Sequence, residues 1–130
     1  MKSPDGSKKL EYYNLTEFAM SSPLMGECFL VNGAKKITID EKCTGPPVWS
    51  SDSRYVAVPV WRFRLPKGNP QKVLVYDTEL DISFISEERF NVLTLLEVDG
   101  QRVVGSNTPN DEIVEIELGE LKNNSSQQGT

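Results

Sequence analysis

Histidine is absent from the chain, so the residues that could do chemistry are nineteen carboxylates, fourteen Lys and Arg side chains and two cysteines. This inventory excludes Ser-His-Asp and Cys-His nucleophilic centres, histidine-ligated zinc and histidine acid-base catalysis. Carboxylate pairs of the glycosidase kind remain available, but no spacing singles one out. Asp77, Glu79 and Asp81 alternate in a way that could line up three carboxylates for a cation; a turn at the end of a strand accounts for them equally well. No EF-hand loop, phosphate-cradling glycine loop or dinucleotide fingerprint occurs. The expectation is therefore no metal, no cofactor and no catalytic residue. Cys28 and Cys43 form no CxxC motif and are expected as reduced, partly buried thiols, a bridge between them being the alternative.

Charge is the more informative signal. Residues 77–120 hold twelve acidic and two basic side chains, net -10, while the rest of the chain is +5, giving -5 in all. If the acidic strands are neighbours, Glu97, Asp99, Asp111, Glu112, Glu115 and Glu117 make a negative face that steers a basic protein partner. The plainer alternative is a solvated strand face. Trp61-Arg62-Phe63-Arg64, with Lys67 and Lys72, interleaves aromatic and basic residues. Trp61 and Arg62 are the residue types favoured as anchors in protein interfaces. Nucleic acid is not expected, because the overall negative charge opposes phosphate contacts and no binding motif is present.

Elements that would position these residues read as strands. Segments rich in Val, Ile, Tyr, Phe and Leu are punctuated by Gly, Pro, Asn and Asp about every ten residues, the rhythm of an antiparallel β protein. Asn32-Gly33 predicts a type I′ hairpin joining residues 27–31 to 35–39. A second hairpin turns at Val98-Asp99-Gly100-Gln101, and a third pairs residues 54–63 with 71–76 across a Pro/Gly loop at 65–70. In the strand from Tyr55 to Trp61 both faces are apolar, with Tyr55, Ala57 and Trp61 on one side and Val56, Val58 and Val60 on the other. Pro59 predicts a bulge or a local edge there. Val114, Ile116 and Leu118 share one strand face, Glu115 and Glu117 the other. Residues 10–20 read as a strand, with a short helix as the alternative, and Glu87-Glu88-Arg89 as one helical turn capped by Ser86.

Pro47-Val48-Trp49-Ser50-Ser51-Asp52-Ser53-Arg54-Tyr55-Val56-Ala57-Val58, followed by Lys72-Val73-Leu74-Val75-Tyr76-Asp77-Thr78, resembles one blade of a TolB-type or prolyl-oligopeptidase-type β-propeller, over roughly residues 46–78. The resemblance implies a Trp-Ser-x-Asp turn before an apolar strand and a later strand ending in Asp. It implies architecture only, since the matching positions are structural. Weaker echoes at 23–39 and 95–118 suggest about three such units. Closed propellers use four to eight blades, so a sandwich, a partial barrel or an open propeller-like stack is expected.

With 130 residues, of which 38% are hydrophobic, the chain is sized for one core rather than two. The expected organisation is a flexible N-terminus at 1–9, a single all-β domain at 10–122 and a disordered polar tail at 123–130. No apolar stretch reaches membrane-spanning length, and the basic start is followed by no apolar leader region, so a cytoplasmic protein without membrane contact is expected. The functional expectation is a small protein-binding domain, specifically an immunity-type inhibitor that neutralises a basic partner such as a bacterial toxin nuclease. A propeller-like scaffold or self-associating module is the alternative, and a carboxylate-dependent enzyme the weaker one.

Overall fold

The computed structural model describes residues 1–17, 24–63 and 70–122. The expected loop at 65–70 and the expected tail at 123–130 lie outside the described residues, apart from Pro70. Ten strands follow in order: β1 Lys8–Thr16, β2 Met25–Asn32, β3 Lys35–Cys43, β4 Val48–Trp49, β5 Tyr55–Trp61, β6 Gln71–Asp77, β7 Ile82–Ile85, β8 Val92–Val98, β9 Arg102–Thr108 and β10 Glu112–Glu117. All pair antiparallel. One sheet has seven strands in the order β1-β2-β3-β5-β6-β7, with β4 also on β5, and the other has three in the order β10-β9-β8. The fold is all-β with open edges.

The doubly apolar strand explains the layering. Tyr55 and Ala57 of β5 and Val73 and Val75 of β6 face a core completed by Leu93, Leu95, Val103 and Ile116 of the small sheet. The opposite face, with Val56, Val58, Val60, Leu74 and Tyr76, packs on Leu10, Cys28, Leu30 and Cys43 of β1–β3. The large sheet therefore curls so that its first three strands cover one face of its own centre, while the small sheet covers the other. Residues 118–122 add one short helix after β10. Leu118 and Leu121, three apart, share its inward side and are both buried in the first core.

Local chemistry sets several boundaries. Ser50 Oγ accepts the Tyr55 N–H at 2.9 Å and donates to Asp52, whose carboxylate accepts the Arg54 N–H at 3.1 Å, so the 50–54 turn between β4 and β5 is built from its own side chains. Pro59 costs no ladder bond. β4 pairs with β5 only at Ala57 and Val56, and β3 only at Val60, leaving Pro59 opposite the connection between them. Its carbonyl accepts the Thr44 N–H at 3.0 Å.

Four sequence expectations change. Asn32 pairs with Lys35, so the β2–β3 turn is Gly33-Ala34, and only Gly33 has positive φ, at 63°; this is the type II′ pattern, with glycine in the first central position, not type I′. Residues 86–89 form a bend rather than a helical turn, because Ser86 is tied to the sheet, its N–H donating to the Val73 carbonyl and its Oγ accepting the Val73 N–H. Residues 1–9 are part of the domain: Lys2 bridges Lys9, Leu10 N–H donates to the Met1 carbonyl at 2.9 Å, and Asp5 N–H donates to Ser53 Oγ at 3.0 Å. The strand expected at 10–20 begins earlier, at Lys8, and runs to Thr16, residues 18–20 lying outside the described residues.

Candidate functional site

The small sheet is apolar on the side facing β5 and β6 and solvated on the other. Register places Glu97 opposite Val104 and Val104 opposite Glu115, so the two carboxylates lie in one row across β8, β9 and β10. Residues so placed on strands once removed are roughly 10 Å apart. Glu117, opposite Arg102, continues the outer face, as does Ile113, opposite Ser106. A register shift between Leu95 and Glu97 leaves Leu96 as a bulge, 52% exposed, and Ile113 is 61% exposed. The outer face therefore combines exposed aliphatic side chains with three carboxylates. One charge is partly offset, since Arg102 Nη1 lies 2.9 Å from Glu115 Oε1 with both side chains half exposed.

The six acidic residues singled out in sequence do not form one surface. Glu97, Glu115 and Glu117 share the outer face. Glu112 does not, because strand side chains alternate and an even number in β10 puts it on the side of Val114 and Ile116, where it remains exposed at the strand end. Asp111 lies in the preceding turn with φ 53°. Asp99 lies in the β8–β9 turn at the opposite end of the sheet, about 17 Å away along five strand residues. Its carboxylate accepts the backbone N–H groups of Gln101 at 2.7 Å and Arg102 at 2.9 Å, and these bonds hold its pKa below the usual carboxylate range. Asp99 builds the turn.

Trp61 and Arg62 are elsewhere, at the far end of β5. Trp61 is 2% exposed, so its ring belongs to the interior, and Phe63, stacked on it at 5.5 Å, is the aromatic that meets solvent. β5 is covered on both faces, as its doubly apolar run implies, and Trp61, its last residue, is covered with it. Arg62 grips Asp40 with both terminal nitrogens, and that hydrogen-bonded carboxylate raises its pKa. Arg89 Nη1 donates to the Arg62 carbonyl at 2.6 Å. A groove of about 550 Å³ opens here between Asp40, Lys42, Phe63 and Arg89.

The alternating carboxylates after β6 have partners of their own. Asp77 is fully buried and receives Arg54 Nε at 3.0 Å and Nη2 at 2.9 Å, as well as the N–H groups of Glu79 and Leu80. Burial pushes its pKa up, but the Arg54 hydrogen bonds and backbone donors outweigh this and leave it lowered. Asp81, at φ 54°, accepts the Tyr76 hydroxyl at 3.1 Å and lies 3.7 Å from Lys35. Burial, then that bond, pushes the Tyr76 phenol up to about 12. Among the described residues no group of three or more Cys, Asp or Glu side chains is arranged to hold a metal ion.

No protein-family model, curated protein or solved structure matches the chain. Among the described residues no helix is long and apolar enough to cross a membrane.

Proposed function

We propose that the protein is a binding domain whose outer face on β8–β10 docks a basic protein partner. The observation that carries this reading is the row Glu97, Val104, Glu115, flanked by Glu117 and by the exposed Leu96 and Ile113. Aliphatic side chains supply area to desolvate, and surrounding carboxylates steer a cationic surface into place and set its register. In its specific form the proposal is an immunity-type inhibitor, acting in the cytoplasm by covering the cationic active-site surface of a toxin nuclease. A histidine-free chain of net charge -5 suits that task, which needs affinity and rapid association rather than a reaction centre.

Self-association through an open edge is the competing reading. β10 is an edge strand, but antiparallel pairing of two copies centred on Glu115 would set like charges face to face. This weighs toward a cationic partner.

The test begins with a basic protein that co-purifies in equal amount from the native source. Converting Glu97, Glu115 and Glu117 together to Gln should slow its association by about tenfold at low salt and flatten the salt dependence. Glu112→Gln, on the other side of β10, should change little. An association rate indifferent to both the triple change and ionic strength refutes the proposal, and a stable oligomer of the isolated chain in sedimentation favours the scaffold instead.

A further inference from the structure

The two cysteines, 15 positions apart, meet in the interior. Cys43 Sγ lies 2.8 Å from Cys28 Sγ, and both residues are fully buried. That separation is only about 0.8 Å longer than the ~2.05 Å of a disulfide bond. A shift of register brings them together: Gly26 pairs with Cys43 and Cys28 with Asp40, so β3 carries one extra residue at this point. From this juxtaposition we propose that Cys28 and Cys43 are a preformed disulfide site, which closes by exchange with a small-molecule disulfide where the chain folds under oxidising conditions and stays open in a reducing cytoplasm.

Its place in the fold gives the bond a purpose. Cys43 is the residue through which β3 pairs with β5, opposite Val60. The carbonyl of Asp40, whose side chain holds Arg62, lies 3.6 Å from Cys43 Sγ. A bond from Cys28 to Cys43 therefore fastens the β1–β3 flap at the point where it joins the centre of the sheet. In the folded dithiol the hydrogen bond with Cys28, and then burial, hold the Cys43 thiol protonated well above its ordinary range. Exchange needs a thiolate and access, so the open chain reacts and the closed one does not.

The exchange balances with glutathione disulfide as oxidant. One cysteine thiolate attacks a sulfur of glutathione disulfide, forming a mixed disulfide and breaking the S–S bond to release one glutathione thiolate. The second cysteine thiolate then attacks the protein sulfur of the mixed disulfide, forming the Cys28–Cys43 bond and expelling the second glutathione. The protein loses two electrons and two protons, and glutathione disulfide becomes two molecules of glutathione. In a glutathione-reduced compartment the same pair stands as the dithiol.

The experiment refolds the full chain with glutathione disulfide and glutathione, blocks thiols with N-ethylmaleimide in denaturant, and measures intact mass and thermal melting. We expect monomer without maleimide adducts, two hydrogen atoms lighter than the dithiol. Its melting temperature should lie about 10 °C above that of reduced protein, as a loop of this length implies. Cys28→Ser and Cys43→Ser should lose that gain. The mass measurement on the unaltered chain decides the matter even if a variant fails to fold. Two maleimide adducts, glutathione retained on both cysteines, disulfide-linked dimer alone, or an internal bond that lowers the melting temperature would each overturn the proposal.

Discussion

Asp77 shows at the level of one residue why a buried carboxylate need not be a reactive one. Two donors from Arg54 and two backbone N–H groups converge on its oxygens, so its negative charge is already matched by an ion pair and hydrogen bonds. Removing the carboxylate strands those buried donors, although Arg54, 29% exposed, can turn partly to water. Asp77→Ala should therefore cost about 2–3 kcal/mol in chemical denaturation. The pH dependence follows from the lowered pKa. The unfolded chain takes up the proton first as pH falls below about 4, so stability from this pair is full above that value and lost as pH falls through the folded one. Asp77→Asn should accordingly show a shallower loss of stability below about pH 4 than the parent chain, measured by urea unfolding at a series of acidic pH values. Equal slopes would mean that folding does not lower the proton affinity of Asp77.

Among the elements, β1 and β2 meet through an irregularity that only one residue type permits. The register slips between Tyr13 and Thr16, with Asn14 at φ 56°, and Gly26 lies against the bulge. A Cβ on Gly26 would come 2.6 Å from the Tyr13 carbonyl oxygen and 3.1 Å from Leu15 Cα, both backbone atoms that cannot swing aside. Gly26→Ala should thus lower stability by about 1–3 kcal/mol through overpacking, read as a lower urea midpoint. A midpoint unchanged within error would show that β1 does not sit on β2 as described.

For the whole molecule the joint between the sheets matters most. Gln71 is fully buried and exchanges backbone hydrogen bonds with Phe90 at 2.7 and 2.9 Å, while its Oε1 accepts the Leu93 N–H at 2.6 Å. A β6 residue thereby holds the start of the small sheet. Gln71→Leu leaves the Leu93 N–H without its partner and should cost about 1–3 kcal/mol. Because both cores share β5 and β6, tryptophan fluorescence and far-ultraviolet dichroism should still report one coincident transition with an unchanged denaturant slope. Separate transitions would show the small sheet to be an independent unit.

Sequence patterning determined what depends on neighbours along the chain. Alternation in β10 separated Ile116 from Glu115 and Glu117, the doubly apolar run of β5 announced a strand covered on both faces, and the Pro/Gly/Asn/Asp punctuation foretold hairpins at residues 32–33 and 98–101. Each follows because a strand repeats every two residues and a turn is satisfied by local side chains. Tertiary structure decided everything that depends on which strands become neighbours. It put Glu97 in a row with Glu115, sent Glu112 and Asp99 to other places, buried Trp61, used Asp77 to hold Arg54, and brought Cys28 against Cys43 through an extra residue in β3. Those outcomes rest on register and sheet curvature, and a one-residue slip in pairing exchanges the two faces of a strand without changing a letter of its sequence.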